Sequence, residues 1–274
     1  APPALPCAAT HSRGDLRDDP ASPEVQDRDG AGRLVDDIGP PAVEGDIRTS
    51  IEHPVRVSRT NVGGTLNVLE AARALQGGDF ERLIFCSTCA VYGSRSHRAV
   101  ETDAFMPCTP YAASKAAADL FCQSYFKTYR LPVAIVRLYN VYGPGQRRDV
   151  IPLFISWALD NQDIPLEGGG VQTRDFIYVD DIVEACLVMG SDPKAVGEAV
   201  NFGTGKDISI RELAEKIIRI AGSASRTVDV PQRPGQEMRV CSDPAKAVQL
   251  FEWNPRISID EGLSLTVPWY RDHR

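Results

Sequence analysis

Four short apolar runs separated by helical patterns constrain this chain more than any other feature. Residues 82–87 (RLIFCS), 131–138 (LPVAIVRL), 175–179 (DFIYV) and Ala199–Phe202 have the length and composition of buried strands. Between and around them run helical patterns. Residues 61–75 place Val62, Leu66, Leu69 and Ala72 on one face before Gly77-Gly78, and Thr109-Pro110 opens a long helix ending at Tyr129. Val150–Leu159 and residues 180–189, 209–221 and 257–270 read as further helices. Parallel strands need such crossovers, so the expected fold class is α/β with a parallel sheet.

Composition narrows the function. The chain has 274 residues, 43% hydrophobic and 24% charged, which suits a globular protein with a sizeable core. Its net charge of −7 and the lack of a basic stripe argue against a nucleic-acid partner. No apolar run approaches the roughly 18 residues of a membrane span. The opening residues 1–9 carry three prolines and no basic flank, a poor secretory signal. Seven scattered cysteines do not suggest a disulfide framework, so the expected compartment is cytoplasmic. All 20 aromatic residues lie at or beyond Phe80, and lysine is absent before Lys115. Residues 1–45, rich in Pro, Asp, Arg and Ala, are expected to be irregular or degenerate.

Chemistry concentrates in three segments. They are Phe85-Cys86-Ser87-Thr88-Cys89-Ala90-Val91-Tyr92-Gly93, Tyr111-Ala112-Ala113-Ser114-Lys115, and Arg137-Leu138-Tyr139-Asn140-Val141-Tyr142-Gly143-Pro144. Tyr111 and Lys115 stand one helical turn apart on one face. An ammonium beside a phenol favours the phenolate, so Tyr111 is expected to titrate below its ordinary value near 10 and to serve as a base. Thr88 follows a strand, where parallel sheets carry reactive groups, and its hydroxyl could hold the oxygen that Tyr111 deprotonates. A Tyr-x-x-x-Lys pair alone usually means packing and solvation; the three segments together are far more specific. Cys86 and Cys89 form a Cys-x-x-Cys, but no second pair accompanies it, and His11, His53, His97 and His273 show no ligand spacing. No metal is expected.

With these segments, residues 61–73 (NVGGTLNVLEAAR), 172–182 (QTRDFIYVDDI), Arg233-Pro234-Gly235 and the tail Trp253-Asn254-Pro255 make the chain resemble the extended short-chain dehydrogenase/reductases of the nucleotide-sugar epimerase and dehydratase family. The resemblance implies a Rossmann-like parallel sheet, incomplete at its N-terminus, with a smaller C-terminal substrate lobe. Residues 46–145 would be a partial NAD-binding domain. Residues 146–274 would be mainly a sugar-nucleotide lobe, with 174–190 and 198–204 returning to the first domain. It further implies Thr88, Tyr111 and Lys115 as catalytic residues, Lys115 gripping the nicotinamide ribose. Asn61 and Tyr139 would join them at NAD, and Asn140, Arg174 and Arg233 would join Thr88 at the nucleoside-diphosphate sugar. Arginine suits pyrophosphate because its planar fork donates paired charge-assisted hydrogen bonds.

Dehydratases of this family resemble Thr-Asp-Glu at the position of Thr88-Cys89-Ala90, and decarboxylases often carry a Glu there. Two non-acidic residues look more like a UDP-glucose 4-epimerase. The implied reaction takes hydride from C4 to NAD and returns it to the other face of a 4-keto sugar; dehydratase, decarboxylase and reductase chemistry stay open. Glu167 stands where relatives often carry an aromatic or apolar group, which leaves the nucleobase open. The helices over 62–75 and 111–129 resemble those of the family's homodimer bundle.

The family's Gly-x-x-Gly-x-x-Gly turn, which cradles pyrophosphate, has no good counterpart: Gly30-Ala31-Gly32 is followed by Val35 where a third small residue belongs. Asp15 is a weak candidate for the adenine contact. The expectation is a chain truncated ahead of this stretch and degenerate or misframed within it. Two or three lost phosphate hydrogen bonds at roughly 1.5–3 kcal/mol each would weaken NAD binding by about 3–9 kcal/mol. The alternative reading is therefore a non-catalytic remnant that binds nucleotide sugars.

Overall fold

The computed structural model describes residues 45–78, 80–232 and 236–273. The irregular segment expected over 1–45, with Asp15, falls outside them save for Gly45, and so does Arg233. The chain enters through α1 (Ile47–Glu52), capped by Asp46, whose carboxylate accepts from Thr49 N at 2.6 Å. Helix α2 (Pro54–Ser58) and a π-helical turn (Arg59–Gly63) lead into α3 (Gly64–Ala74). The single helix expected over 61–75 thus begins with one wide turn.

Strand β1 (Leu83–Thr88), helix α4 (Pro110–Tyr129) and strand β2 (Val133–Leu138) form the first crossover unit. After β3 (Asn140–Tyr142) come α5 (Val150–Leu159), β4 (Ile164–Glu167), β5 (Thr173–Arg174), β6 (Phe176–Tyr178) and α6 (Val179–Ser191). The remainder is β7 (Ala199–Phe202), β8 (Ile208–Ser209), α7 (Ile210–Ala221), β9 (Thr227–Val230), β10 (Arg239–Val240), α8 (Ala245–Phe251) and α9 (Ile259–Asp272). Among the described residues β1, β2 and β7 make a parallel sheet in that order, as expected. Parallel pairs β3–β6 and β4–β9 and the small sheet β10–β5–β8 complete the strands.

β2 reads as an apolar run broken only by Arg137 because it is covered on both faces. On one side Ala118 and Cys122 of α4 pack with Phe85, Val133 and Ile135. On the other, Ile182, Ala185 and Met189 of α6 pack with Ala134, Val136 and Val200. A separate core joins α5, α7 and α9 through Ile155, Leu213, Ile217, Leu263 and Val267. Burying a side chain of this size contributes roughly 1.5–3 kcal/mol.

Two buried polar networks hold the strand ends in place. Arg137, 2% exposed, donates from Nε and Nη2 to the Asp119 carboxylate of α4 at 3.0 and 3.1 Å, and from Nη1 to the Tyr92 hydroxyl at 2.7 Å. Tyr92 donates on to Asn201 Oδ1 at 2.8 Å, so α4, β2, β7 and the turn after β1 are fixed together. Asp175, fully buried, accepts from Thr204 N and Oγ1, Gly205 N, and Ser242 N and Oγ. That carboxylate ties the approach to β6 to the loops after β7 and β10.

Candidate active site

The carboxyl end of β1 brings the first pair together. Thr88 ends the strand in an extended conformation and caps the 3-10 turn Cys89–Tyr92, its hydroxyl accepting from Ala90 N at 3.2 Å. Gly93 closes that turn at φ +66, where a Cβ would lie 2.3 Å from Met106 O, so the chain needs glycine there. Helix α4 opens with Thr109 accepting from Ala112 N and with Pro110 in its first turn. This start sets Tyr111 beside Thr88, close enough for the Thr88 hydroxyl to act on the phenol. The pairing expected between a strand-end hydroxyl and the helix phenol is present.

The titration of Tyr111 differs from expectation. Burial pushes its phenol up to about 12; the Thr88 hydrogen bond opposes that shift, while Cys89 and Asp149 add to it. Lys115 does not supply the expected lowering because its ammonium turns toward β1. Nζ donates to Cys86 O at 2.6 Å and sits 4.3 Å from the centre of the Phe85 ring. Burial pushes Lys115 down to about 8, partly offset by the charges of Cys86, Cys122 and Asp119. Spacing on a helix fixes the face a side chain leaves from; its rotamer is decided by what lies above that face.

The other expected residues fall into two sets. Tyr139, 3% exposed, packs with Cys89 and Val240 near Thr88, and burial raises its phenol far above the ordinary range. Arg174 donates to Thr173 O at 2.8 Å and acts electrostatically on the buried Cys89 thiol. Asn140 turns its amide to Asp175 O at 3.0 Å. Asn61, 1% exposed in the wide turn, donates to Ser114 Oγ at 2.8 Å, one residue before Lys115.

Beside Tyr139, which the resemblance already implies at the cofactor, Ser87, Cys89, Glu237 and Asp149 were not assigned a site role from sequence. Ser87 Oγ and Tyr139 Oη are buried without a hydrogen-bond partner. Each such orphan costs about 1–3 kcal/mol and marks a place where a polar ligand atom is welcome. Cys89 lies beside Tyr111, Tyr139 and Arg174; burial, with Glu237 adding, pushes its thiol up to about 12. Glu237 and Asp149 bring carboxylates toward Cys89 and Tyr111 from distant loops. No sequence spacing links these four to Thr88, apart from the adjacency of Ser87 and Cys89. Among the described residues no three His, Cys, Asp or Glu side chains group as metal ligands, and no helix is long and apolar enough to cross a membrane.

Comparison with known proteins follows the same residues. A model of the NAD dependent epimerase/dehydratase family matches residues 24–203, beginning inside the segment that sequence alone sets apart as irregular. The UDP-glucuronate 4-epimerase of Thermodesulfobacterium geofontis is 35% identical over 240 residues, covering 85% of this chain and 71% of that protein. The dTDP-D-glucose 4,6-dehydratase of Homo sapiens is 37% identical over 224 residues, covering 78% of this chain and 62% of that protein, so this chain spans less than two thirds of that relative. The crystal structure of Thermus thermophilus UDP-glucose 4-epimerase in complex with NAD superposes with a TM-score of 0.77 at 33% identity, over 84% of this chain and 75% of that one.

Proposed function

The chain belongs to the NAD dependent epimerase/dehydratase family, and from that premise we propose that it inverts C4 of a nucleoside-diphosphate sugar through a 4-keto intermediate. The Thr88 hydroxyl beside the Tyr111 phenol at the carboxyl end of β1, with Cys89 and Ala90 following, carries the reading. A thiol pushed up to about 12 keeps its proton near neutrality, so the residues directly after Thr88 offer no acid–base group. Expelling water needs an added acid and base beside the phenol, whereas inversion needs only the phenol and a way to move hydride.

NAD supplies that hydride acceptor and donor when bound. The residues present fit it: two orphan hydroxyls, Ser87 Oγ and Tyr139 Oη, flank the pair, and Lys115 carries a buried cation one turn from Tyr111. In this proposal Asn61, Thr88, Tyr111, Lys115 and Tyr139 hold the cofactor, while Thr88, Asn140, Arg174 and Arg233 hold the sugar nucleotide. Thr88 orients the sugar hydroxyl and Tyr111 takes its proton. Burial holds that phenol near 12, so the proposal includes a turn of the Lys115 ammonium from Cys86 O toward Tyr111 on ligand binding, which would lower it. The separate cores on the two faces of β2 and around α5, α7 and α9 support a division near residue 145 into cofactor and substrate lobes. Exposed Leu120 and Phe121 on α4 support a homodimer through α3 and α4, and six free cysteines among the described residues fit a cytoplasmic setting.

A second reading, a 4,6-dehydratase, is favoured by the carboxylates of Glu237 and Asp149 that reach the site from other loops. Incubation of the protein and NAD with UDP-, dTDP- and GDP-hexoses, followed by mass and stereochemistry of the product, separates them. An isobaric C4 epimer supports the first reading; loss of water supports the second. No turnover and no bound nucleotide sugar would sink both, whereas sugar binding without turnover would point to the non-catalytic alternative.

A further inference from the structure

The other face of β1 carries a chemical feature that the proposed reaction does not use. Helix α6 lies close on this strand because Gly190 faces Ile84: a Cβ on Gly190 would come within 3.2 Å of Ile84 Cδ1. Arg82 fastens the end of the helix, donating from Nη1 to Met189 O at 2.6 Å and Asp192 O at 2.8 Å. From that contact, two strand residues lead from Ile84 to Cys86 on the same face, about 6.6 Å. Four helix residues lead from Gly190 back to Cys186, about 6 Å. The two steps match, Cys186 packs in the same cluster as Ile84, and the thiols of Cys86 and Cys186 act on each other between strand and helix.

We propose that Cys86 and Cys186 are a modification site at which a hydroperoxide converts two thiols into a disulfide joining β1 to α6. Their surroundings assign them different roles. Cys86 is exposed, and the hydrogen bond from Cys186, opposed by burial and reinforced by the Lys115 ammonium, brings its thiol down to about 6. Cys186 is half-buried, and its hydrogen bond to Cys86, together with burial, pushes its thiol well up. Cys86, exposed and beside the Lys115 ammonium, takes the role of attacking thiol, and the half-buried Cys186 that of the resolving one.

The chemistry balances. The Cys86 thiolate attacks one peroxide oxygen, the O–O bond breaks, and hydroxide leaves as Cys86 becomes a sulfenic acid. The sulfur of Cys186 then attacks the sulfenic sulfur, its proton and the departing hydroxide form water, and the S–S bond closes. Two thiols and one hydrogen peroxide yield one disulfide and two waters, with two electrons passing from sulfur to oxygen. Because Lys115 holds the Cys86 carbonyl, the linkage forms on the same residue that anchors that ammonium.

The test treats the full chain with hydrogen peroxide, caps remaining thiols with N-ethylmaleimide, and maps peptides by mass spectrometry without reduction. Cys108, exposed and with its sulfur near only Met106 O in the hydrogen-bond network, is the internal reference. The expected result is a Cys86–Cys186 linked peptide, reversed by dithiothreitol, appearing at least about tenfold faster than oxidation of Cys108. In Cys186→Ser the Cys86 sulfenic acid should persist and be trapped by dimedone. Oxidation of Cys86 no faster than Cys108, or its linkage to a cysteine other than Cys186, would overturn the proposal. None of these readouts depends on epimerase activity.

Discussion

Arg137 and Tyr139 are two residues apart, both nearly wholly buried, and their polar atoms have opposite fates. The Arg137 guanidinium is matched by Asp119, Tyr92 and the Glu101 carbonyl, whereas the Tyr139 hydroxyl meets no partner. The same contrast separates Asp175, which accepts from backbone and hydroxyl groups of two loops, from Ser87, whose hydroxyl is orphaned at the end of β1. Satisfied networks specify where the strand ends go. Two of the unsatisfied groups, Ser87 and Tyr139, belong to the strand ends next to Thr88, where the fold forgoes hydrogen bonds that a ligand can complete.

The comparison is open to attack from its strongest side. Asp119→Ala leaves a buried guanidinium without its carboxylate and should destabilise the fold by about 3–5 kcal/mol in urea unfolding. A loss below about 1 kcal/mol would mean that the matched network is not what secures α4 against β2.

Lys115 tests the other region. In an unfolded chain lysine holds its proton to about 10.4; in the fold Lys115 holds it only to about 8. The unfolded state therefore binds more protons between these values, and stability should rise with pH across this window. Below about 8 the full penalty is present; above about 10.4 it is gone. Lys115→Met should accordingly gain up to about 3 kcal/mol at pH 7 and lose that advantage by pH 11. Equal stability of the two proteins at both pH values would show that burial of this ammonium is not costly.

The smallest effect is expected at the orphan itself. Tyr139→Phe removes an unpartnered buried hydroxyl and should stabilise the ligand-free protein by about 1 kcal/mol. Destabilisation of that size would reveal a partner for the hydroxyl and erase the contrast with Arg137.

How far the sequence foretold this arrangement depends on the reach of each contact. The crossover from β1 through α4 to β2 was legible because strand-length apolar runs and the Thr109-Pro110 start signal act locally. The meeting of Thr88 with Tyr111 was legible through motif combination, since a strand end and the first turn of the following helix converge. The direction of Lys115 was not, because Phe85 and the Cys86 carbonyl compete for it across the sheet. Pairings such as Arg137–Asp119 and Cys86–Cys186, and the charge of Glu237 acting on Cys89, join distant elements, and no local spacing encodes them. The short strands β5, β8 and β10 were missed for a similar reason: two residues have no periodicity to read.

The account turns on a phenol that gives up its proton readily only when ligands fill its site. The direct measurement is conversion of a UDP-hexose to its C4 epimer with NAD present, wild type against Tyr111→Phe. The account predicts an isobaric epimer whose rate of formation falls at least about a hundredfold in the variant. Undiminished turnover by Tyr111→Phe would contradict it.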